Sequence, residues 1–362
     1  MKKLLIVTDA WFPQVNGVVT VFDRISTLLR VRGIEVVVVH PELFDRTFPL
    51  PLYPEVPMAI LPGKRMREIF LREKPDYVHI ATEWTLGLSA RWLCLQNKIP
   101  FTSSYHTNFP LYAAHYFRYG FLLSPIASMY MRWFHKPAQS LLVSNESLKQ
   151  QLISDGFHNV NVWPFGIDTD LFKRDETNVP DEAKTLVHPV FVYFGRVCKE
   201  KGIEEFLQLS LPGTKLVIGD GPLRIPLEKK YADKATFIGY RRGQELVNWL
   251  SACDVCVFPS RTETFGLVVL EALACGLPVA AHNVLGPKDS ITHDVDGYLS
   301  EDLQDAAIKC LPLSRTDCRQ KALHYSWETS ADVFQRYIEA VPLARVPNQL
   351  RRIWSRKPLL TQ

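Results

Sequence analysis

The sequence lacks several patterns that define common protein classes. It has no uncharged apolar run of about 18 residues, the length that a membrane-spanning helix needs. No G-x-G-x-x-G motif follows the first predicted strand, and no glycine-lysine-serine or glycine-lysine-threonine loop occurs in the chain. These absences argue against an integral membrane protein, a dinucleotide oxidoreductase and a P-loop nucleoside triphosphatase.

The length and composition are typical of a globular protein with two domains. The 362 residues exceed the size at which one hydrophobic core usually divides, and 47% apolar with 22% charged residues is an ordinary balance. The apolar segment at residues 4–7 meets Asp9 at once, which predicts a first β-strand rather than a signal peptide. Seven scattered cysteines suit a reducing cytoplasm. We expect Cys253 and Cys256 to pack at a strand end rather than bind a metal.

Strand-like and helix-like segments alternate along the chain, which predicts parallel sheets covered by helices on both faces. In the first half, the predicted strands are residues 4–7, 36–40, 58–61, 77–81, 101–105, 141–144 and 160–163. In the second half, they are residues 190–194, 215–218, 236–238, 254–258 and 278–281. We therefore predict an α/β protein with two Rossmann-like, doubly wound parallel-sheet domains facing a cleft, at residues 1–170 and 171–340, followed by a basic tail at 341–362.

Two glutamates flank the predicted start of a helix in the second half. Glu263 lies in the loop before it, Gly266 opens the helical run, and Glu271 lies on the helix. The free N–H groups and the dipole of a helix start favour a phosphate, whereas a carboxylate would repel one. The pair of glutamates therefore suggests hydroxyl groups on both sides of a phosphate. That is the arrangement of a sugar nucleotide, with a ribose at one end and a hexose at the other.

Three further loops follow predicted strands and carry groups suited to phosphate. Arg196 offers a fork of donors and Lys201 a compact charge, although a solvated basic loop is the alternative interpretation. Gly219 and Gly221 form a tight loop that permits close approach of a backbone. Gly17, before the first helical run, would let backbone N–H groups approach a phosphate, and a plain turn explains it nearly as well.

The segment between Trp84 and Asn145 contains no Asp or Glu and is rich in aromatic residues. Within it, residues 130–136 interleave aromatic side chains with cations, as interfacial membrane segments do. A core with a few basic residues at its edge is the alternative. The tail after Glu339 is also basic and free of acids. We therefore predict contact with an anionic membrane surface, and no nucleic-acid partner because no binding motif for one is present.

Seven short motifs occur in order along the chain. They are residues 9–17 (DAWFPQVNG), 79–83 (HIATE), 104–110 (SYHTNFP), 165–168 (FGID), 195–202 (GRVCKEKG), 219–222 (GDGP) and the glutamate pair at 263 and 271. With these motifs the chain resembles the retaining GT-B glycosyltransferases of family 4 over nearly its full length. Within that family it is most similar to the bacterial lipid-directed glycosyl- and sulfoquinovosyl-diacylglycerol synthases and to related GDP-mannose-dependent α-mannosyltransferases.

The resemblance implies roles for residues of the second domain, which would bind the donor. Arg196 and Lys201 would hold the donor diphosphate, Glu271 the ribose hydroxyls, and Glu263 the transferred sugar. Further donor contacts would come from Gly219, Gly221, Phe265, Gly266 and Leu267. The inventory of cations predicts that neither a metal ion nor a cofactor is required.

In the first domain, which would bind the acceptor, the resemblance assigns two residues to the site. Gly17 would face the diphosphate, and His106 would lie beside the sugar at the reacting centre, where Arg196, Lys201 and Glu263 complete the catalytic set. From spacing alone, His106 at a strand end is as well explained as a packed structural histidine. Asp9, Thr82 and Glu83 remain open between acceptor-side groups and structural caps.

The predicted activity is transfer of a hexosyl group from a UDP- or GDP-sugar to a hydroxyl, forming an α-linkage. In enzymes that this chain resembles, the diphosphate leaves on the face that the acceptor attacks and takes the acceptor's proton. We expect a membrane lipid such as diacylglycerol as acceptor, and a location at the cytoplasmic face of the membrane. The alternatives are a soluble sugar or glycan acceptor, a nucleotide-sugar epimerase of the same fold, and a non-catalytic binding module. The sequence does not predict the oligomeric state.

Overall fold

Two parallel β-sheets organise the chain, one in each of two structural units. The computed structural model describes residues 2–14, 16–50, 53–110 and 120–341. The first unit comprises Met1–Pro164 and Glu328–Gln362, and the second comprises Phe165–Trp327. The sheet in each unit has six strands, all paired in parallel with their neighbours. The predicted architecture of two Rossmann-like α/β domains is confirmed.

In the first unit, the main sheet has the order β2-β1-β5-β6-β7-β8, and β3 and β4 form a separate antiparallel ribbon. The strands are β1 (Lys3–Val7), β2 (Glu35–Val39), β3 (Thr47–Leu50), β4 (Tyr53–Ala59), β5 (Tyr77–Ile80), β6 (Thr102–Ser104), β7 (Ser140–Val143) and β8 (Val160–Val162). The helices described before the unit boundary are α1 (Gly17–Val31), α2 (Gly63–Glu73), α3 (Thr85–Asn97), α4 (Gly120–His135) and α5 (Glu146–Ser154), with a short 3-10 turn at Pro41–Leu43.

In the second unit, the sheet has the order β11-β10-β9-β12-β13-β14. The strands are β9 (Val190–Phe194), β10 (Thr214–Ile218), β11 (Thr236–Gly239), β12 (Val255–Phe258), β13 (Val279–Ala281) and β14 (Gly297–Leu299). The helices are α6 (Asp181–Lys184), α7 (Ile203–Gln208), α8 (Arg224–Lys230), α9 (Gly243–Leu250), α10 (Leu267–Ala274), α11 (Pro287–Ser290), α12 (Leu303–Cys310) and α13 (Arg315–Leu323), with 3-10 turns at Glu176–Asn178 and Lys199–Lys201. The last helix, α14 (Trp327–Glu339), begins at the end of this unit and belongs to the first unit from Glu328 onward.

The central strands form because they are short, β-branched or aromatic runs that are apolar on both faces. Every residue of β9 (VFVYF) and of β12 (VCVF) is buried. Such strands suit a parallel sheet that helices cover on both sides. Phe191, Val217 and Val255 pack with the helices α7 and α12 in the core of the second unit. These rigid strands fix the positions of the loops that follow them.

The strands β3, β4 and β14 differ from the sequence-based expectation. Residues 58–61 were predicted to join a parallel sheet, but only residues 58 and 59 are in a strand, at the end of β4. This strand pairs with β3, which was not predicted, in the antiparallel ribbon. Three prolines in the two strands explain this placement, because proline cannot donate to a ladder and is tolerated at exposed edges. The short strand β14 was not predicted, since only three residues extend between a turn and a polar loop.

The boundary between the units lies at Pro164–Phe165, whereas we predicted it near residue 170. The chain also returns to the first unit at Glu328, although we had placed residues 328–340 in the second domain. The physical reason is the packing of α14: the Phe334 ring lies 4.7 Å from the Trp163 ring, and the Trp163 indole donates to Ser330 at 3.0 Å. The basic tail lies outside the described residues from position 342 onward.

Each sheet has one point at which the strand order turns. In the second unit the chain runs outward from β9 through β10 to β11, then crosses to β12 and runs the other way. In the first unit the same turn lies between β1 and β5. Ligands of open α/β sheets bind outside the carboxyl ends of the strands at such points. The loops after β1, β5, β9 and β12 are therefore where each unit should carry its functional groups.

Two further features bear on the sequence-based expectations. Among the described residues, no helix combines the length and the apolar character needed to cross a bilayer. All seven cysteines are free and buried, and burial raises the pKa of Cys253 and Cys256 above the ordinary thiol value. This is the environment of packed core thiols rather than reactive ones.

Candidate active site

The loops that follow β9 and β12 pack against each other at the carboxyl edge of the second sheet. The hydroxyls of Ser260 and Thr262, after β12, donate to the carbonyl oxygen of Glu200, after β9, at 3.3 and 3.4 Å. The contact leaves no room for a side chain at Gly202, where a Cβ would lie 2.7 Å from the Pro259 carbonyl oxygen. The two loops thus form one surface beside the point at which the strand order turns.

Lys201 and Glu263 form an ion pair on this surface. The Lys201 ammonium directly contacts the Glu263 carboxylate, and the two side chains are 33% and 15% exposed. The Ser260 hydroxyl lies 3.4 Å from the same carboxylate oxygen. Burial alone would lower the pKa of Lys201, but attraction to Glu263 outweighs it and raises that pKa above the ordinary value. Two residues that the sequence assigned to different parts of a donor are therefore in contact, and the lysine is charged.

The carboxyl of Glu271 has unused bonding capacity within the part of the chain that the structure describes. It lies on α10, which begins after Gly266 with a positive φ of 83° and has no side-chain cap. Among the described residues, the partly buried Glu271 carboxyl has no hydrogen-bond or ion-pair partner. Burial raises its pKa to about 7. A partly buried carboxyl without a partner is costly unless something outside the chain supplies hydrogen bonds.

The Arg196 loop is supported by the glycines that follow β10. A Cβ at Gly219 would overlap the Gly195 carbonyl oxygen, and one at Gly221 would lie 2.5 Å from the Val197 carbonyl oxygen. The Val197 N–H also donates to the Asp220 carbonyl at 2.8 Å. The close backbone approach predicted for Gly219 and Gly221 is therefore an approach to the neighbouring loop. Their predicted contact with a donor remains a prediction.

Aromatic packing holds the segment before α10 in place. Phe265 is buried, with its ring 5.0 Å from that of Phe165. Gly286 leaves room for it, since a Cβ there would lie 2.9 Å from the Phe265 carbonyl oxygen. The side chain of Phe265 thus anchors the loop, and the backbone of Phe265 is left for the donor contact that the resemblance implies.

In the first unit, Gly17 is the first residue of α1. The Asn16 side chain caps this helix by accepting from the Val19 N–H at 3.0 Å. One of the N–H groups that the sequence analysis offered to a phosphate is therefore already bonded. The side chain of Asn16 thus caps this helix start.

Asp9 and Thr82 serve as caps. The buried Asp9 carboxylate accepts from the Thr82 hydroxyl at 2.8 Å, from the Thr85 hydroxyl at 3.1 Å and from the Leu86 N–H at 3.0 Å. These bonds hold the start of α3 against β1. Burial raises the pKa of Asp9, and the hydrogen bonds partly offset this. Of the two interpretations left open by the sequence, the geometry favours structural capping for this pair.

Glu83 also makes its contacts inside the first unit. Its carboxylate lies 3.2 Å from Nε2 of His135, whose Nδ1 lies 2.9 Å from the Ser103 hydroxyl. The Tyr130 hydroxyl donates to the Glu83 carbonyl oxygen. All three side chains of the Glu83–His135–Ser103 chain are buried. This constellation holds α4 on the sheet.

His106 lies just after β6, in an aromatic environment. Its Nε2 is 2.7 Å from the Ser104 hydroxyl, and its ring packs 5.3 Å from Phe22 and 6.2 Å from Trp163. Burial lowers the pKa of His106 to about 3, so its ring is neutral at physiological pH. The sequence analysis missed Ser104 as its partner, although residues two apart on a strand share a face.

Comparison with known proteins places the chain in a family. The profile of glycosyltransferase family 4 matches residues 15–171, and the profile of glycosyl transferases group 1 matches residues 188–315. Together they cover most of both units. The chain belongs to the family 4 glycosyltransferases, enzymes that transfer sugars, as the motifs predicted.

Individual relatives have several specificities. The chain is 32% identical to the sulfoquinovosyl transferase of Arabidopsis thaliana, over 84% of this chain and 65% of the plant protein, so it spans just under two thirds of that relative. It is 28% identical to a GDP-mannose-dependent alpha-mannosyltransferase of Mycobacterium tuberculosis, over 94% of this chain and 97% of that protein. Identity to the alpha-monoglucosyldiacylglycerol synthase of Streptococcus pneumoniae is 28%, over 92% and 85%.

Solved structures support the predicted GT-B fold. HepE of Anabaena, determined in complex with UDP, aligns with a TM-score of 0.67 at 17% identity, over 94% of this chain and all of that one. At this identity the likeness concerns the fold alone.

The partnerless carboxyl of Glu271 should make the stability of the ligand-free protein depend on pH. Its pKa is about 7 in the folded protein against an ordinary 4.5, so folding stability falls as the pH rises between these values, by up to about 3 kcal/mol. Urea unfolding of Glu271→Gln should show less of this fall than unfolding of the wild-type chain. An identical pH dependence in both proteins would show that the carboxyl is not desolvated as described.

Proposed function

We propose that the protein transfers a hexosyl group from a UDP- or GDP-sugar to an acceptor hydroxyl, with retention of configuration and without a metal ion. The observation that carries the proposal is the Glu271 carboxyl, which is partly buried and without a partner on the helix beside the Lys201–Glu263 pair. A ribose diol supplies two hydroxyl donors, the complement that such a carboxylate lacks. HepE, which has a similar fold, was determined in complex with UDP, in keeping with a nucleotide ligand for this chain.

Charge at the donor site is balanced around the diphosphate. Lys201 has three N–H donors, so it can keep its contact with Glu263 and still bond a phosphate oxygen. Arg196 adds a second cation, and the uncapped start of α10 adds backbone N–H groups. Glu263, already fixed by Lys201 and Ser260, is then positioned to accept from hydroxyls of the transferred sugar.

The same charges stabilise the leaving group. In the transfer step, the bond between the anomeric carbon and the diphosphate oxygen breaks, and the acceptor oxygen forms its bond on the same face of the sugar. The acceptor's proton passes to a diphosphate oxygen. Arg196 and Lys201 oppose the negative charge that develops on the nucleoside diphosphate, which is the main stabilisation that such a reaction requires. His106, being neutral, would contact the sugar by hydrogen bonding rather than by charge.

A lipid acceptor at the cytoplasmic face of an anionic membrane is the second part of the proposal. Helix α4 exposes four large apolar side chains at spacings of three or four residues: Leu123 (40%), Ile126 (58%), Met129 (62%) and Trp133 (51%). Arg132 and Lys136 flank this face, and the helix contains no acid. An apolar stripe with flanking cations is the pattern of interfacial helices.

Several side chains of residues 130–136, the segment proposed to contact the membrane, are turned into the first unit. Tyr130 points inward and bonds Glu83, while Met131, Phe134 and His135 are buried. Trp133 is held at the rim by Arg91, whose guanidinium lies 3.8 Å from the indole. The proposed contact therefore runs along the exposed side of α4 rather than through the whole segment. The relative named alpha-monoglucosyldiacylglycerol synthase supports a lipid acceptor for this chain too.

A thermal-shift panel of UDP, GDP and their sugar conjugates, with EDTA present throughout, tests the donor. We expect one nucleotide series to stabilise the protein by about 2.7 kcal/mol at a hundred times its Kd. Glu271→Gln should weaken that affinity about 10- to 100-fold, because a charged hydrogen-bond acceptor is lost. Glu245→Gln, at an exposed glutamate of α9, is the control and should bind as the wild type does. The proposal would be contradicted if no nucleotide stabilised the protein, or if Glu271→Gln bound the nucleotide with the affinity of the wild type.

Sedimentation with phosphatidylglycerol vesicles tests the membrane contact. The wild-type protein should bind at low salt and dissociate at high salt, since each basic residue near an anionic surface contributes about 1 kcal/mol. The double variant Ile126→Glu/Met129→Glu should bind at least about tenfold more weakly. Ile225→Glu, at an even more exposed isoleucine on α8, should not change binding. A wild-type protein that stays in the supernatant would favour a soluble acceptor instead.

A further inference from the structure

A continuous chain of hydrogen-bonding side chains runs through the core of the first unit to His106. The His79 ring, on β5, places Nδ1 2.8 Å from the Thr102 hydroxyl and Nε2 3.1 Å from the Ser104 hydroxyl. The Ser104 hydroxyl lies 2.7 Å from Nε2 of His106. Thr102 and Ser104 share a face of β6 because side chains alternate along a strand. The sequence analysis gave His79 no function.

The rings of His79 and His106 are both neutral. The His79 ring is fully buried and packs 5.0 Å from Phe334 and 5.4 Å from Phe22. Burial lowers its pKa well below the ordinary value, as it does for His106. A neutral imidazole has one protonated nitrogen, which donates, and one unprotonated nitrogen, which accepts. Each ring nitrogen in the chain must therefore meet a hydroxyl of the opposite kind.

The protons of the chain are consequently coupled. Each hydroxyl also has a single proton, so fixing the direction of one hydrogen bond fixes all of them. In one arrangement every donor points from His106 towards Thr102, and His106 is protonated at Nε2. In the other arrangement every donor points the opposite way, and His106 is protonated at Nδ1.

The Val78 carbonyl distinguishes the two arrangements. Its oxygen lies 3.5 Å from the Thr102 hydroxyl, within reach of a weak hydrogen bond, and a carbonyl oxygen can only accept. When the Thr102 proton points to Val78, the hydroxyl oxygen accepts from Nδ1 of His79, and Ser104 then donates to Nε2 of that ring. We propose that His79 and Ser104 are positioning residues that hold His106 in the tautomer protonated at Nε2.

This tautomer determines how His106 can take part in sugar transfer. Its Nδ1 is a hydrogen-bond acceptor for hydroxyl groups, whereas in the other tautomer the same atom would donate. The consequence for the reaction rests on the proposed function, but the tautomer itself does not, because it is a property of the ligand-free chain. The two ideas can therefore fail separately.

Nitrogen-15 NMR of protein labelled at histidine tests the proposal without any substrate. Long-range proton–nitrogen spectra distinguish protonated from unprotonated ring nitrogens, and His79→Gln and His106→Gln assign the two rings. In the wild-type protein we expect His106 to be protonated at Nε2. A wild-type His106 protonated at Nδ1, or an even mixture of the two forms, would overturn the proposal.

Thr102→Val is the decisive variant, because it removes a hydroxyl that does not touch His106. Without that hydroxyl, a proton on Nδ1 of His79 would be a buried donor without a partner, which is unfavourable. The proton should move to Nε2 of His79, reverse the bond to Ser104, and shift His106 towards protonation at Nδ1. Ser103→Ala is the control, since Ser103 lies on the same strand but bonds His135. A His106 spectrum that is unchanged in Thr102→Val would refute the coupling.

Kinetics provide a second measurement once a donor is known. Thr102→Val should lower kcat roughly tenfold, in the range found for partners that orient a functional histidine, with little change in the donor KM. Ser104→Ala should do the same, and Ser104→Thr, which keeps a hydroxyl, should restore much of the rate. Equal kcat values in Ser104→Ala and in the wild-type protein would show that the chain has no positioning role. Donor binding in the thermal-shift panel is independent of this outcome.

Discussion

Glycine contacts between loops at the edge of the second sheet are the constraint on which the candidate donor site depends. Gly195 and Gly219 approach so closely that neither loop could keep its course with a side chain at Gly219. A side chain at Gly202 would likewise clash with the carbonyl oxygen of Pro259. Because these contacts lock the loops after β9, β10 and β12 together, Lys201 and Glu263 meet and the start of α10 is fixed. The charged groups owe their arrangement to backbone packing rather than to attraction alone.

The two units solve the problem of buried polar groups in opposite ways. In the second unit, Lys201 and Glu263 are charged partners, and Glu271 has an unused carboxyl at the edge of the same surface. In the first unit, His79 and His106 are neutral and bonded through hydroxyls among aromatic rings. Charges suit a group that holds phosphates, and neutral directional bonds suit one that orients a sugar hydroxyl. This division agrees with donor and acceptor roles for the two units.

Much of the fold was predictable because its strands are local and strongly apolar. Residues 190–194 and 215–218 were predicted to within one residue, since both are buried on two faces and end at glycine. The helix α14 was assigned to the wrong unit for the opposite reason. Its partner Trp163 lies far away in sequence, and no local pattern shows which core a terminal amphipathic helix will join.

The candidate site was also predictable only in part. Motifs singled out Arg196, Lys201, Glu263 and Glu271 as candidates, because phosphate and hydroxyl recognition requires particular side chains. Sequence spacing could not show that Lys201 pairs with Glu263 or that Asp9 caps α3, since both contacts join separate loops. The support given by Gly219 and Gly221 was likewise hidden, because a glycine has the same sequence signal whether a ligand or a loop lies against it.

Proton release on donor binding tests the central claim most directly. Calorimetry of a nucleotide sugar in buffers of different ionisation enthalpy measures the protons released, and the diester diphosphate does not itself titrate near neutral pH. At about pH 6 the Glu271 carboxyl is mostly protonated, and a bound ribose diol should ionise it, releasing about one proton in the wild type. Glu271→Gln should release close to none. Equal release by both proteins, or none by either, would contradict the assignment of Glu271 to the donor.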